Sequence, residues 1–333
     1  MKCRTTDDLA QACQTDANQL VLFGLKPRYK EYYIPKNKGE MRLIEDPSKE
    51  LKKIQTHLNK LLQAWYYTQR SDASHGFGIA TSKDEQARGI KTNASVHLQC
   101  NYLLNIDLLD FFHQIEFPRL QKTFETYLPK QKADIRNLLL QVCCYKNRLP
   151  MGAPTSPVLS NIACLDLDGS LQQLCKHANL NFTRYADDLS FSSLLPIEKE
   201  VQDMIKDAIM HEGFSINYNK VNYFSIEDEK LVTGLVLHPD GVRLPKEYVP
   251  LLLKEIERLK IINDVEYRYQ TGMSRKKLNL LEQEIQGKIR FVSDVLGSHA
   301  IETLSIEKAY LNAIQAPEDF ESLSWLELPY EFL

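Results

Sequence analysis

Two periods of apolar and polar residues alternate along the chain, and the switches between them mark its elements. In SKELKKIQTHLNKLLQAWYY, apolar residues recur at three- and four-residue steps: Leu51, Ile54, Leu58, Leu61, Leu62 and Trp65. With Ser48 placed as N-cap, this spacing predicts a helix. Upstream, YKEYYIPK and MRLIE are rich in β-formers around the turn-like KNKGE and predict a strand pair, while residues 1–25 predict a short helical stretch. HLQCNYLLNIDLLDFF predicts a buried strand that runs to the carboxylate of Asp107, and PRLQKTFETYLPKQKADIRNLLLQVCCY predicts helical material broken near Pro129. SPVLSNIACLDLDGSLQQLCKHA predicts a long helix. NFTRYADDLSFSS reads as a hairpin with a polar acidic tip, and IEKEVQDMIKDAIMHEG as a helix closed by Gly213. FSINYNKVNYFSI, LVTGLVLHP and VRLPKEY predict short strands, and Pro250 to about Tyr310 a helical region. The order strand, helix, hairpin, helix, hairpin predicts a mixed sheet backed by helices, an α+β fold.

At 333 residues, 43% of them hydrophobic and 26% charged, the chain is long enough for more than one core and has an ordinary globular composition. No apolar run approaches the roughly 20 residues that span a bilayer. The N-terminus MKCRTTDDLAQACQTD is too polar for a secretory signal, so the expectation is a cytoplasmic protein without a membrane partner. Seven cysteines without a C-x-x-C pair argue against a zinc site or disulfide framework. The net charge of −3 is unusual for a protein that handles nucleic acid, but its distribution is uneven. Lys26 to Lys60 hold ten basic residues against five acidic ones, whereas Pro317 to Leu333 hold five acidic and no basic residues. A basic groove on an acidic protein is compatible with that asymmetry.

The candidate chemistry lies in three acids. Phosphoryl transfer onto a sugar hydroxyl uses two divalent cations held by carboxylates on a rigid element. Asp107 ends an apolar run, and Asp187 and Asp188 sit at a hairpin tip. If the two elements pair as neighbouring strands, about 4.8 Å apart, the three acids share one site. Taken alone, an acidic hairpin tip is an ordinary polar turn, and a single strand-end Asp an ordinary cap.

Tyr185-Ala186-Asp187-Asp188 resembles the Y-x-D-D box of reverse transcriptases, and the resemblance continues in order over about residues 38–240. Arg42 in MRLIEDPS is similar to the fingers arginine that binds the triphosphate, and NIDLLDFF to the first catalytic motif. Leu149 to Ile162, LPMGAPTSPVLSNI, resembles the loop and helix that hold nucleotide and template. GFSINYNK resembles the motif whose lysine, here Lys220, approaches the triphosphate, and LVTGLVL resembles the hairpin that supports the primer end. Asn93-Ala94-Ser95-Val96-His97 and Val232-Thr233-Gly234 resemble the N-A-x-x-H and V-T-G elements of the bacterial retron type.

What the resemblance implies is a right-hand polymerase fold. Residues 1–25 would be an N-terminal helical extension, and 26–100 with part of 117–150 the fingers. The palm would take 101–116 and 150–243, a helical thumb 244–315, and an acidic tail 316–333. The implied catalytic and metal-binding residues are Asp107, Asp187 and Asp188, with Leu108 as a further metal contact and two Mg²⁺ per site. Deoxynucleoside triphosphates would meet Arg42, Phe112, Met151, Gly152 and Lys220, with Phe112 as the gate against a ribose 2′-hydroxyl. Tyr185, Pro154, Val232, Thr233 and Gly234 would face primer and template. Lys36 and Lys38 are further candidates for phosphate contact, and Tyr267 and Tyr269 for stacking on RNA. Asn93 and His97, on one side, and Arg268, Arg275, Lys276 and Lys277, on the other, would serve either cognate RNA or structure. The family usually has Gln where this chain has Met151, and a thioether cannot donate a hydrogen bond. The retron type copies part of a structured noncoding RNA, primed from an RNA 2′-hydroxyl, into branched multicopy single-stranded DNA. It works with a host RNase H and an effector protein in antiphage defence. Two rivals stay open: another prokaryotic reverse transcriptase, group II intron-like or diversity-generating, and a catalytically silent RNA-binding palm. A template-independent polymerase or cyclase on a palm is a third.

Overall fold

The computed structural model describes residues 3–35, 41–264, 271–272 and 274–315. Lys36, Lys38, Tyr267, Arg268, Tyr269 and the acidic tail therefore lie outside the described residues. Two compact units divide the chain after Thr233.

The first unit begins with two helices where the sequence predicts one short stretch. α1 (Thr6–Ala12) is opened by a capping box between Thr5 and Asp8, and α2 (Ala17–Leu25) by the Asp16 side chain. β1 (Tyr29–Pro35) pairs antiparallel with β2 (Met41–Pro47), Tyr29 opposite Pro47. α3 (Lys49–Tyr67) is capped by Ser48, whose hydroxyl accepts from the Leu51 amide, and buries Leu51, Ile54, Leu58 and Leu62 as their period requires. α4 (Ile90–Ser95) precedes β3 (Tyr102–Asp107), which leads into the single turn α5 (Phe111–Gln114). α6 (Phe117–Tyr127) and α7 (Ala133–Cys143) flank the break at Pro129.

The predicted long helix is two: α8 (Ser156–Ala163) and α9 (Leu165–Ala178). At Cys164 the backbone turns to φ −96°, ψ 5°, and its amide is shared among the carbonyls of Ser160, Asn161 and Ile162. Apolar residues run through the junction without a gap, so the periodicity carried no mark of it. β4 (Asn181–Tyr185) and β5 (Asp188–Ser193) form the predicted hairpin, and α10 (Lys199–His211) ends before Gly213 at φ +74°. The strand predicted at FSIN reduces to one bridge between Ile216 and Leu108, followed by a 3₁₀ turn at Tyr218–Lys220. Asn217 is turned inward there by bonds to Asp107, which ends the extended run. β6 (Asn222–Phe224) and β7 (Leu231–Val232) follow.

The main sheet has the order β4-β5-β3-β6, with antiparallel neighbours. Leu104, Ile106, Phe182, Leu189 and Phe191 are buried on one face as part of the core that includes Leu159, Ile162 and Leu171 of the helices. Residues paired directly across strands share a face, so Asn105, Asp107, Thr183, Asp188, Ser190 and Ser192 line the other. His97, fully buried, spans that polar face: its ring nitrogens lie 2.7 Å from Ser192 Oγ and 2.7 Å from Thr183 Oγ1.

Among the described residues the second unit holds the hairpin of β8 (Leu235–His238) and β9 (Gly241–Arg243), followed by long helices. These are α11 (Tyr248–Asn263), α12 (Arg275–Leu296) and α13 (Ile301–Ile314). The interrupted helical region packs through Leu252, Ile256 and Leu259 on α11, Ile285 and Val292 on α12, and Ile306 on α13. Lys288 on α12 reaches both Glu255 oxygens of α11, at 2.8 and 2.7 Å. Among the described residues no helix is long and apolar enough to cross a membrane.

Burial pushes the pKa of His97 down to about 3 and that of His75 down to about 4. Both rings are therefore neutral in the fold and charge in the unfolded chain below about pH 6.5. Stability contributed this way is complete above that pH and is lost as the pH falls towards the folded values. Between pH 7 and pH 5 each ring should cost about 2 kcal/mol. Denaturant unfolding at the two pH values should show a smaller loss for His97→Gln than for wild type. Equal losses would contradict the neutral, bridging ring.

Candidate active site

The register of β3 on β5 places Asp107 opposite Asp188. Paired residues across antiparallel strands have Cβ atoms about 5 Å apart. Asp187 occupies the tip of the β4–β5 hairpin, and its carbonyl accepts from the amide of Leu108, 3.0 Å away. The turn exists because Ala186, buried, adopts the left-handed region at φ +56°, uncommon for a residue with a side chain.

Two features hold that turn from behind. Gly76 backs onto it so closely that a Cβ there would lie 2.8 Å from the Ala186 amide nitrogen. Arg184, fully buried, points to the core side of the sheet and donates from Nε and Nη2 to both carboxylate oxygens of Asp168 on α9, at 2.6 and 2.8 Å. Its remaining donor, Nη1, reaches Asn161 Oδ1 at 3.0 Å and the Ala186 carbonyl at 3.2 Å. Burial would lower the arginine's pKa, but Asp168 outweighs that and keeps it charged. The segment before Gly76 is clasped as well: Arg184 donates its amide to Ala73, and its carbonyl accepts from His75.

The acids repel one another. Burial, then Asp187 and Asp107, push the pKa of Asp188 up to about 7. Asp187 is raised by burial and by Asp107, while Lys220 and Arg42 pull it back. Asp188 is open to solvent on one side, so water screens part of this repulsion. Both oxygens of Asp107 are engaged: Asn217 Nδ2 lies 3.0 Å from Oδ1 and Lys220 Nζ 2.9 Å from Oδ2. Among the described residues no three metal-binding side chains already converge into an ion cage. The donor set nonetheless suits Mg²⁺, since it is all hard oxygen and carries negative charge in excess of its partners.

The other sequence-predicted residues lie on several elements. Arg42 is exposed near the start of β2, and its charge reaches Asp187. Phe112 on α5 lies 6.1 Å from the Phe77 ring, which lies 6.3 Å from Tyr185. Met151 and Gly152 form a turn against β2, Gly152 at φ +135°, and Pro154 follows just before α8. Val232 is buried at the end of β7, Thr233 has φ +48°, and Gly234 has φ +81°, a succession typical of a tight turn. Asn93 Nδ2 approaches Thr233 Oγ1 at 3.5 Å. Asn93 and His97 are both buried, so their side chains work inside the protein and not on its surface. Arg275, Lys276 and Lys277 are exposed in the first turn of α12, in the second unit.

Glu45, Asn217, Arg184 and Asp168 were not singled out from the sequence. Arg184 and Glu45 did leave a trace: each is a charged residue at a position where strand alternation demands an inward side chain.

The family model for reverse transcriptase (RNA-dependent DNA polymerase) matches residues 34–243. The chain is 34% identical over 235 residues to the retron Ec86 reverse transcriptase of Escherichia coli, covering 69% of each protein. It is 31% identical over 258 residues to the retron Ec83 reverse transcriptase of the same organism, covering 71% of this chain and 78% of that one. A structure of telomerase from Candida albicans with an RNA fragment aligns over 88% of this chain and 61% of its own, at 11% identity and a TM-score of 0.48. On the sequence matches, the chain belongs to the reverse transcriptases, RNA-directed DNA polymerases, and within them to the retron type.

Breaking a buried ion pair by removing one partner typically costs about 3–5 kcal/mol. Asp168→Ala should therefore destabilise the protein by that order in denaturant unfolding. Asp203→Ala, which removes the partner of the exposed Lys199, should cost under about 1 kcal/mol. Similar small losses for both would show that Arg184 is not held as described.

Proposed function

We propose that Asp107, Asp187 and Asp188 are the catalytic carboxylates and hold two Mg²⁺ ions, with the Leu108 carbonyl as a further oxygen donor. The observation that carries this reading is the pairing of Asp107 with Asp188 beside Asp187, three acids whose repulsion the protein only partly offsets. When bound, such cations lower the pKa of the attacking hydroxyl and stabilise the leaving pyrophosphate.

The chain's own groups do the rest. Lys220, 62% exposed at its side chain, leaves Asp107 for the triphosphate and supplies a proton to the departing pyrophosphate. Arg42 meets phosphate charge from the β2 side. Phe112, propped through Phe77 against Tyr185, closes the space that a ribose 2′-hydroxyl would need. Gly152 lets the backbone come close to the nucleotide, and Met151 offers packing in place of the hydrogen bond a Gln would make. Tyr185 and Pro154 face template and primer, and the Val232–Gly234 turn supports the primer end.

Arg275, Lys276 and Lys277 sit where the positive end of the helix dipole disfavours cations. Their placement does not serve the helix, and it suits phosphate on the cognate RNA. By its resemblance to retron enzymes, the protein copies part of a structured noncoding RNA from a 2′-hydroxyl primer into branched single-stranded DNA. A host RNase H would remove copied RNA, and an effector protein would link the product to antiphage defence. In the same reading residues 26–100 act as fingers, 101–116 with 150–243 as palm, and 244–315 as thumb.

Primer extension on an RNA template with Mg²⁺ tests the assignment. Asp187→Asn and Asp188→Asn should each lose at least about a hundredfold in rate, several kcal/mol of charge stabilisation, with template affinity retained. Wild-type extension by either variant would leave a silent RNA-binding scaffold as the better reading. In the same preparations, copurifying DNA should be joined to RNA through a 2′–5′ linkage; only unbranched RNA would remove the retron-type product.

A further inference from the structure

Glu45 is an anomaly in β2. It is fully buried, yet its side chain ends in an ionisable carboxyl group. A buried carboxylate is expensive, and even when paired it is often no better for stability than an apolar residue of similar volume. Its contacts point to geometry as its use. Arg148 grips both oxygens, Nη1 at 2.8 Å from Oε2 and Nη2 at 3.0 Å from Oε1. The Met151 amide donates to Oε2 at 3.3 Å, and the Glu45 amide donates to the Met151 carbonyl at 2.8 Å. A Cβ on Gly152 would lie 2.8 Å from the Glu45 carbonyl oxygen, so the turn and the strand are in direct backbone contact. His113 Nε2 on α5 is 3.5 Å from Oε2, one residue after Phe112.

One side chain thus ties the strand carrying Arg42 to the Met151–Gly152 turn and lies beside the helical turn carrying Phe112. We propose that Glu45 is a positioning residue that sets the shape of the nucleotide pocket and hence its selectivity for the sugar. The proposal rests on the pocket reading of Phe112, Met151 and Gly152 given above. Glu45 has no exposed surface and does not touch substrate; it acts by fixing the distance between the gate ring and the turn. In a chain with Met151, which cannot hydrogen-bond a nucleotide through its side chain as a donor, selectivity depends more heavily on that fixed backbone.

The test is steady-state incorporation of a deoxynucleotide and its ribonucleotide counterpart by wild type, Glu45→Gln, Arg148→Lys and Phe112→Val. Glu45→Gln keeps the shape and removes the charge that holds Arg148 two-handed. Its KM for the deoxynucleotide should rise about tenfold, more than its kcat falls, as lost positioning of one charged pair implies. Discrimination against the ribonucleotide should fall by about the same factor. Arg148→Lys, which keeps the charge but loses the fork, should move both readouts the same way by less, and covers the case in which Glu45→Gln does not fold. Wild-type KM and discrimination in the folded Glu45 and Arg148 variants, with Phe112→Val relaxed, would overturn the proposal and leave the pocket reading standing. Unchanged discrimination in Phe112→Val would overturn the pocket reading itself. A parallel loss of kcat, template affinity and thermal stability in Glu45→Gln, with discrimination intact, would mark Glu45 as structural and also overturn the proposal.

Discussion

The antiparallel register between β3 and β5 is the constraint on which the site depends. It sets Asp107 across from Asp188, on the face of the sheet opposite the core. Strand side chains alternate with a period of two, so a slip of one residue would send one of these carboxylates to the buried face. The fold resists that slip because Leu104 and Ile106 of β3, or Leu189 and Phe191 of β5, would be carried to the polar side in exchange. His97, bridging Ser192 and Thr183, and the Ser190 hydroxyl, 2.9 Å from Asn105 Oδ1, satisfy the polar face in this register alone. The hydrophobic core and the acidic face are thus two consequences of one alignment.

Electrostatically, the site is built in two layers. In front, three carboxylates lie together, Asp107 buried and Asp188 exposed, with Lys220, Asn217 and the charge of Arg42 as partial compensation. Behind the tip, the buried pair of Arg184 and Asp168 is matched in both hydrogen bonds and charge. The front layer is left short of positive charge; the rear layer is matched and gives the left-handed turn at Ala186 a fixed support. The overall charge of −3 says nothing of either layer.

Much of this was legible in the sequence because its signals were local. The apolar run to Asp107, the Tyr185–Asp188 tip between β-rich arms, the spacing of α3 and the Ser48 cap each lie within one segment. The parts that were not legible depend on partners far along the chain. Glu45 meets Arg148, and Arg184 meets Asp168; whether a charge is buried or solvated depends on contacts that no window of residues contains. The break at Cys164 was hidden by apolar residues that serve two helices as well as one. The failed strand at Ile216 and Asn217 was lost to the competing attraction of Asp107 for the Asn217 amide groups. In both places a tertiary contact overrode local preference, and in the second the contact belongs to the active site.

Counting bound metal decides whether the three acids share their cation sites. Mn²⁺ is a paramagnetic substitute for Mg²⁺, and electron paramagnetic resonance measures how much of it the protein binds with primer, template and a non-reacting nucleotide present. Wild type should bind two ions per chain and Asp107→Asn no more than one, with template still bound. Full occupancy in that variant would mean that Asp107 does not share a cation site with the hairpin tip.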